Sequence, residues 1–216
     1  EVRRLCDQYG VVLVFDEVIS GFRIDMGGAQ AYYNVTPDLA AFGKAMANGY
    51  PLSALVGKRE IMSKMENIFF SATFGGELAS IASAIATITK LETTDGVRRI
   101  HTLGDRLMTS LNTAISDFGL GKIICYTGEA WWPRVAFKNL PIEQNKVLAL
   151  MRQEFVAQNL LIASGLNFCL AHDDPKIFNM TLERAKRAFE ALSIAIHAPD
   201  PSKFLKGEIV MSDFEV

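Results

Sequence analysis

Val11-Val12-Leu13-Val14-Phe15 is a run of five apolar residues, four of them β-branched or aromatic, that ends on Asp16-Glu17. A run of this kind, with no polar alternation, predicts a strand buried on both faces, as in parallel sheets. It puts Asp16 and Glu17 at the carboxyl end of that strand, where open α/β sheets bind their ligands. Residues 3–9 read as the end of a helix stopped by Gly10. Gly21, Gly27 and Gly28 mark a loop after the strand. Thr36-Pro37-Asp38 opens a second short element over residues 39–42, which ends on Gly43-Lys44, and residues 52–56 form a third apolar run. Asp16 and Lys44 thus both fall at the ends of strand-like elements of an α/β fold.

Further along, residues 58–65 read as helical and residues 68–73 as extended, with Phe74-Gly75-Gly76 as a turn. Residues 77–91 form a helical pattern with Leu78, Ile81, Ala82, Ile85 and Ile88 on one face. Val97, Ile100, Leu103, Leu107, Leu111 and Ile115 step by three or four and predict a second long core helix. Composition then shifts. Residues 122–137 suggest strands and carry Trp131-Trp132, which read as packing residues. Residues 142–157 read as a helix, residues 160–162 as a short strand, and Asp174-Pro175 as the start of a final helix. The organisation expected is a first domain over residues 1–119, a small domain over 120–197 and a polar tail over 198–216. The chain opens on Glu1-Val2-Arg3-Arg4, already inside a helix-like pattern, and is expected to be a piece of a longer protein.

Half of the 216 residues are hydrophobic and 21% are charged, which is enough for a real core and argues against disorder. The net charge of −2, without a basic block, argues against nucleic acid or an anionic membrane as partner. No uninterrupted apolar run approaches the ~18 residues that span a bilayer, and no signal-peptide pattern is visible. Cys6, Cys125 and Cys169 lack the spacing of a zinc site and read as reduced thiols, so no metal is expected and a cytoplasmic location is.

Two chemistries suit the front of the chain. An apolar strand ending in Asp-Glu is how a Walker B element looks, but its partner GxxxxGK[ST] is missing from these residues, and Gly43-Lys44-Ala45 has neither the spacing nor the hydroxyl. The other reading pairs Asp16 with Lys44 across a pyridinium cofactor. Such a cofactor needs a carboxylate at its ring nitrogen and a lysine on its aldehyde. Lys44 stands on a turn, with Gly43 before it and Gly49-Tyr50-Pro51 after it. Its amine is either a solvated surface group or a nucleophile toward carbonyls.

The segment Asp16-Glu17-Val18-Ile19-Ser20-Gly21-Phe22-Arg23, followed by Pro37-Asp38-Leu39-Ala40-Ala41-Phe42-Gly43-Lys44-Ala45-Met46-Ala47-Asn48-Gly49-Tyr50-Pro51, resembles the class III aminotransferases. The branch that looks nearest is the one containing glutamate-1-semialdehyde 2,1-aminomutase. The likeness weakens after about residue 95, and residues 161–192 look like the family's C-terminal domain. The resemblance implies the PLP-transferase fold type I, here as part of the large mixed or parallel-sheet domain plus a smaller α+β domain. It implies pyridoxal 5'-phosphate as cofactor, a small-molecule amino donor and carbonyl acceptor, and a homodimer with shared sites. Lys44 matches the lysine that forms an imine with the cofactor, Asp16 the aspartate at the pyridine nitrogen, and Val18 the apolar residue on one ring face. Thr73 matches a threonine that reaches the phosphate in the neighbouring subunit. Glu17 and Arg23 belong to the motif without an assigned act, and His172 reads as a helix-start residue.

Ala45-Met46-Ala47-Asn48-Gly49 after the lysine, and Phe74-Gly75-Gly76-Glu77-Leu78 after the threonine, are similar to ordinary transaminases rather than to the aminomutase. They favour transfer between two molecules over intramolecular transfer within a semialdehyde. Family members extend further on the N-terminal side, where they carry a phosphate-binding loop and an aromatic stacked on the ring. No such loop is found in this chain, so an incomplete, non-catalytic fragment is the remaining alternative.

Overall fold

Asp38 sets where the first sheet begins. Its carboxylate accepts from the Leu13 amide at 2.7 Å, and its own amide donates to the Leu13 carbonyl at 2.8 Å. The pairing of β1 (Val14–Asp16) with β2 (Leu39–Phe42) follows directly, parallel, with Val14 opposite Leu39 and Asp16 opposite Ala41. The third strand, β3 (Ala54–Gly57), pairs antiparallel with β2, so the sheet is mixed, in the order β1-β2-β3. The computed structural model describes every residue except 70, 164, 208 and 210–216.

Helix α1 (Val2–Tyr9) precedes β1 and stops at Gly10, whose φ of 65° lets its amide reach the Cys6 carbonyl. The strand after it is parallel, as its composition predicts, but not buried. Val11, Val12 and Val14 are 55%, 50% and 52% exposed. The reason is topological: β1 is the edge strand of this sheet, and its outer side carries no neighbour among the described residues.

After β1 come the short helix α2 (Gly28–Tyr32), a 3-10 turn over Lys44–Ala47, and the short helix α3 (Arg59–Met62), which runs into a 3-10 turn over Ser63–Asn67. Of the stretch read as extended over 68–73, Phe70 lies outside the described residues, and no strand forms among the others. Helix α4 (Leu78–Thr93) is capped by the Glu77 carboxylate, which accepts from the amides of Ala79 and Ser80 and from the Ser80 hydroxyl. The apolar face read from the sequence is only in part the face that packs: Ile88 is partly buried against the cluster of Met46, Ala47 and Ala84, and the rest is not. Leu78 and Ile85 are 78% and 63% exposed, whereas Ser80, Ala84 and Leu91 face inward. Small residues on the inward side allow the helix to lie close under the Lys44–Ala47 turn, where Ala84 packs against Met46 and Ala47.

The chain forms two compact units, residues 1–99 and 100–216. The second takes its core from α5 (Gly96–Asp117), α6 (Gln144–Ala157), α7 (Pro175–Ile196) and the antiparallel pair β4 (Ile124–Thr127) and β5 (Arg134–Phe137). Leu103, Leu107, Leu111 and Ile115 are buried at the spacing that predicts the α5 core stripe. Phe155 of α6 meets Phe189 of α7 edge-on, with ring centroids 5.2 Å apart. Asp174 caps α7 from the amides of Lys176 and Ile177, with Pro175 at the first helical position. Residues 160–162 do not form a strand; the only pairing nearby among the described residues is a single bridge between Arg134 and Gly165. The stretch after 198 begins by docking. Pro201 is buried, and Gln153 of α6 donates to the Phe204 carbonyl and accepts from the Lys206 amide. No helix among the described residues is long and apolar enough to cross a membrane.

Candidate active site

Because β1 and β2 run parallel, their carboxyl ends lie side by side. The ladder continues one step past β1, with the Glu17 amide donating to the Ala41 carbonyl at 2.8 Å. Asp16 is therefore the last paired residue of one strand, and Lys44 follows the end of its neighbour by two residues. Both side chains are exposed. The Asp16 carboxylate is oriented by its own backbone, Oδ1 accepting from the Val18 amide at 3.0 Å.

Gly43 is extended, with φ −171° and ψ −152°, and Lys44 turns the chain sharply by adopting φ 43°. A lysine in the left-handed region costs about 1–2 kcal/mol relative to a right-handed one. The cost is met by the packing beneath it. Met46 and Ala47 are buried against α4, Ser83 donates its hydroxyl to the Ala47 carbonyl at 2.8 Å, and Asn48, also left-handed at φ 49°, closes the turn. Val18 reaches this turn from the other strand. A Cβ built on Gly43 would stand 3.6 Å from Val18 Cγ1, which puts the valine directly over the peptide that leads into Lys44. Asp16, Val18 and Lys44 thus share one end of the sheet.

Thr73 does not join them. It lies exposed in the turn over residues 73–76, and no hydrogen bond links it to Asp16, Val18 or Lys44 among the described residues. His172 lies in the second unit, in the 3-10 turn Leu170–Asp173, where its Nδ1 faces the amide and thiol of Cys169. Trp131 and Trp132 stack on each other with centroids 6.0 Å apart.

Two further carboxylates of the first unit, Asp38 at the opposite end of the sheet and Glu17 next to Asp16, had no act that the sequence could reveal. Asp38 forms ion pairs with Lys58 at 2.6 Å and Arg3 at 2.9 Å. Lys58, then the Leu13 amide and Arg3, hold its carboxyl far below the ordinary carboxylate range, and the same contacts raise Lys58 and Arg3. Glu17 is 1% exposed and accepts from the Ser20 hydroxyl and the Gln30 amide. The sequence signal that could have marked it is the pair of glycines at 27 and 28, since Gly28 packs against its carboxylate.

The model of the family described as Aminotransferase class-III matches residues 1–123. The 3-aminobutyryl-CoA aminotransferase of Cloacimonas acidaminovorans is 38% identical over 158 residues, covering 73% of this chain and 37% of that protein. A glutamate-1-semialdehyde 2,1-aminomutase of Ignicoccus hospitalis is 31% identical over 204 residues, covering 89% of this chain and 48% of that protein. Among solved structures, the PLP internal aldimine form of the FumI protein of Sphingopyxis sp. MTA144 is 26% identical, with a TM-score of 0.81 over 94% of this chain and 48% of that one. A structure described as a transaminase with PLP bound shares the fold with a TM-score of 0.80 at 24% identity, over 91% of this chain and 48% of that one. The chain spans about half, or less, of the length of these relatives. The architecture is that of the PLP-transferase fold type I. With the family model matched from Glu1 through the sheet, the Lys44 turn and α4 into the second unit, this chain belongs to the class III aminotransferases.

Proposed function

We propose that the protein carrying this chain transfers an amino group from a small-molecule amino donor to a carbonyl acceptor, using pyridoxal 5'-phosphate. The observation that carries the proposal is the parallel β1–β2 register, which sets an exposed carboxylate and an exposed amine at one sheet end, with the apolar side chain of Val18 packed over Gly43 beside the amine. That donor set fits the cofactor: a carboxylate for the pyridinium nitrogen, an amine for the aldehyde and a hydrocarbon surface for the ring face.

In this reading Asp16 would hold the ring nitrogen, Lys44 the aldehyde carbon and Val18 one face of the ring. When bound, the cofactor supplies an electron-poor ring that accepts the electron pair left by a broken Cα–H bond. Asp16 keeps a proton on the ring nitrogen, and its orientation is fixed in advance by the Val18 amide. Lys44 Nζ, once the donor's amine has taken its place, moves the proton off the substrate's α-carbon. Val18, backed by Gly43, excludes water from the ring face on its side. Thr73 of the partner subunit would hold the phosphate, which makes the active form a homodimer with shared sites. The exposure of Thr73 and its separation from the other three residues support that assignment.

A second reading, intramolecular transfer within a semialdehyde, is favoured by the aminomutase relatives. Ala45-Met46-Ala47-Asn48-Gly49 after the lysine speaks for the intermolecular reaction. The cofactor-loaded protein in its aminated form separates the two: isomerisation of a semialdehyde without any added acceptor identifies the mutase. For the site itself, borohydride treatment of the full-length protein is expected to fix the cofactor covalently in the wild type and not in Lys44→Ala. A borohydride-stable adduct of unchanged yield in that variant overturns the assignment.

A further inference from the structure

Glu17 is a fully buried carboxylate in the first unit, and the chemistry above makes no use of it. It lies between Asp16 and Val18 in sequence, and its side chain turns away from both into the loop that follows. Oε2 accepts from the Ser20 hydroxyl at 2.5 Å and Oε1 from the Gln30 amide at 3.2 Å. Its carbonyl accepts from the Gly21 amide at 2.8 Å. The far side of the loop is shaped around it. Gly28 adopts φ 74°, and a Cβ there would stand 2.5 Å from Glu17 Oε1 and 2.8 Å from Cδ. A single carboxylate therefore fixes both ends of the segment 20–30.

That segment rests on the turn that leads into Lys44. A Cβ on Gly21 would stand 2.5 Å from the Phe42 ring, and Phe22, left-handed at φ 60°, places its own ring 5.8 Å from that of Phe42. Ile24, two residues further along the segment, is buried. Val18 at the start of the segment packs over Gly43. The Glu17 strut thus reaches the site twice, through Val18, its neighbour in the turn after β1, and through the ring of Phe42, two residues ahead of Lys44.

We propose that Glu17 is a positioning residue for cofactor retention: with Gly28 it locks the segment 20–30, which holds Val18 and the Phe42-Gly43-Lys44 turn in place around the ring. This inference rests on the assignment of Asp16, Val18 and Lys44 made above. Removing the carboxylate leaves the Gln30 amide without its acceptor and frees the segment. Glutamine in its place keeps one acceptor for that amide and offers an NH2 to the Ser20 oxygen, which can accept as well as donate. Alanine at position 28 attacks the same lock from the other side, by crowding the carboxylate and by straining a left-handed backbone.

The test uses the full-length protein loaded with pyridoxal phosphate. The rate of cofactor release on dilution and the visible absorbance of the bound cofactor are compared for wild type, Glu17→Ala, Glu17→Gln and Gly28→Ala, together with the thermal midpoint of each cofactor-free form. Glu17→Ala and Gly28→Ala are expected to release the cofactor about tenfold faster or more, the size typical of losing the partners that orient a site's ligands. Glu17→Gln is expected to stay near wild type. Release at the wild-type rate from Glu17→Ala overturns the proposal, as does a fall in cofactor-free thermal midpoint unaccompanied by faster release. Should Glu17→Ala fail to fold, Ser20→Ala removes one hydroxyl from the lock and is expected to speed release in the same direction; an unchanged rate there overturns the proposal. Borohydride labelling of wild-type Lys44 separates the two levels. Its failure sinks the site assignment, whereas successful labelling with unchanged release from Glu17→Ala sinks the positioning role alone.

Discussion

Asp38 accepts from Lys58, Arg3 and the Leu13 amide at once, and so ties α1, β1, β2 and the end of β3 at a single carboxylate. Its folded pKa is depressed, so its contribution to stability is fully present above the unfolded carboxylate value of about 3.9 and is lost as pH falls through that region toward the folded value. Asp38→Asn removes the ion pairs and with them this dependence. The stability gap between wild type and the variant, measured by urea unfolding at a series of pH values, is expected to be largest near neutrality and to narrow steadily below about pH 4. A gap of constant size across that range would show that the pairing contributes nothing through charge. The placement of Asp16 and Lys44 at strand ends was legible in the sequence, because the order and spacing of the apolar runs carry it. The burial of Asp38 and Glu17 was not, because it depends on partners such as Arg3 and Gln30, 35 and 13 residues away, which no local pattern announces.

Helix α4 shows where periodicity misleads. Its apolar stripe of Leu78, Ile81, Ala82, Ile85 and Ile88 has the spacing of a core face, yet the side that packs carries Ser80, Ser83 and Ala84, with Ile88 of the stripe partly buried against the same cluster. Periodicity reports that a helix has two faces; the shape of its neighbour decides which is used, and the neighbour here is the tight turn over Lys44–Ala47, against which Ala84 is buried. Ala84→Leu is expected to overpack this contact, at a cost of about 1–3 kcal/mol. The expected readouts are a lower denaturation midpoint and weaker cofactor retention, since the turn that must move begins at Lys44. A midpoint equal to wild type would show that α4 does not support the turn. Elsewhere pattern and packing agree: the α5 stripe, the Asp174-Pro175 start of α7 and the Gly10 stop of α1 each stand where local chemistry puts them. The length of β1 did not follow from its composition, because a strand exists only where its neighbour's ladder runs, and that ladder starts at Leu13 and Asp38.

Taken as a whole, the chain holds its two kinds of information in different places. The second unit has a dense core in which Val147, Leu150, Met151, Phe155, Phe189 and Leu192 are almost wholly buried. The first unit holds every residue assigned to the site, and its described core includes a cluster built on Met46, Ala47 and Ala84, besides buried residues such as Ile24 and Ala40. The edge strand described above adds a colloidal consequence to the chemical ones. Val11, Val12 and Val14 present half-exposed hydrocarbon along a strand edge that carries no neighbouring strand among the described residues, which is a template for other chains. A solution of residues 1–216 alone is expected to scatter light increasingly with concentration and to bind a polarity-sensitive dye. Val12→Lys, which sets a charge on that edge, is expected to suppress both, and equal scattering from the two chains would place the stickiness elsewhere on the surface.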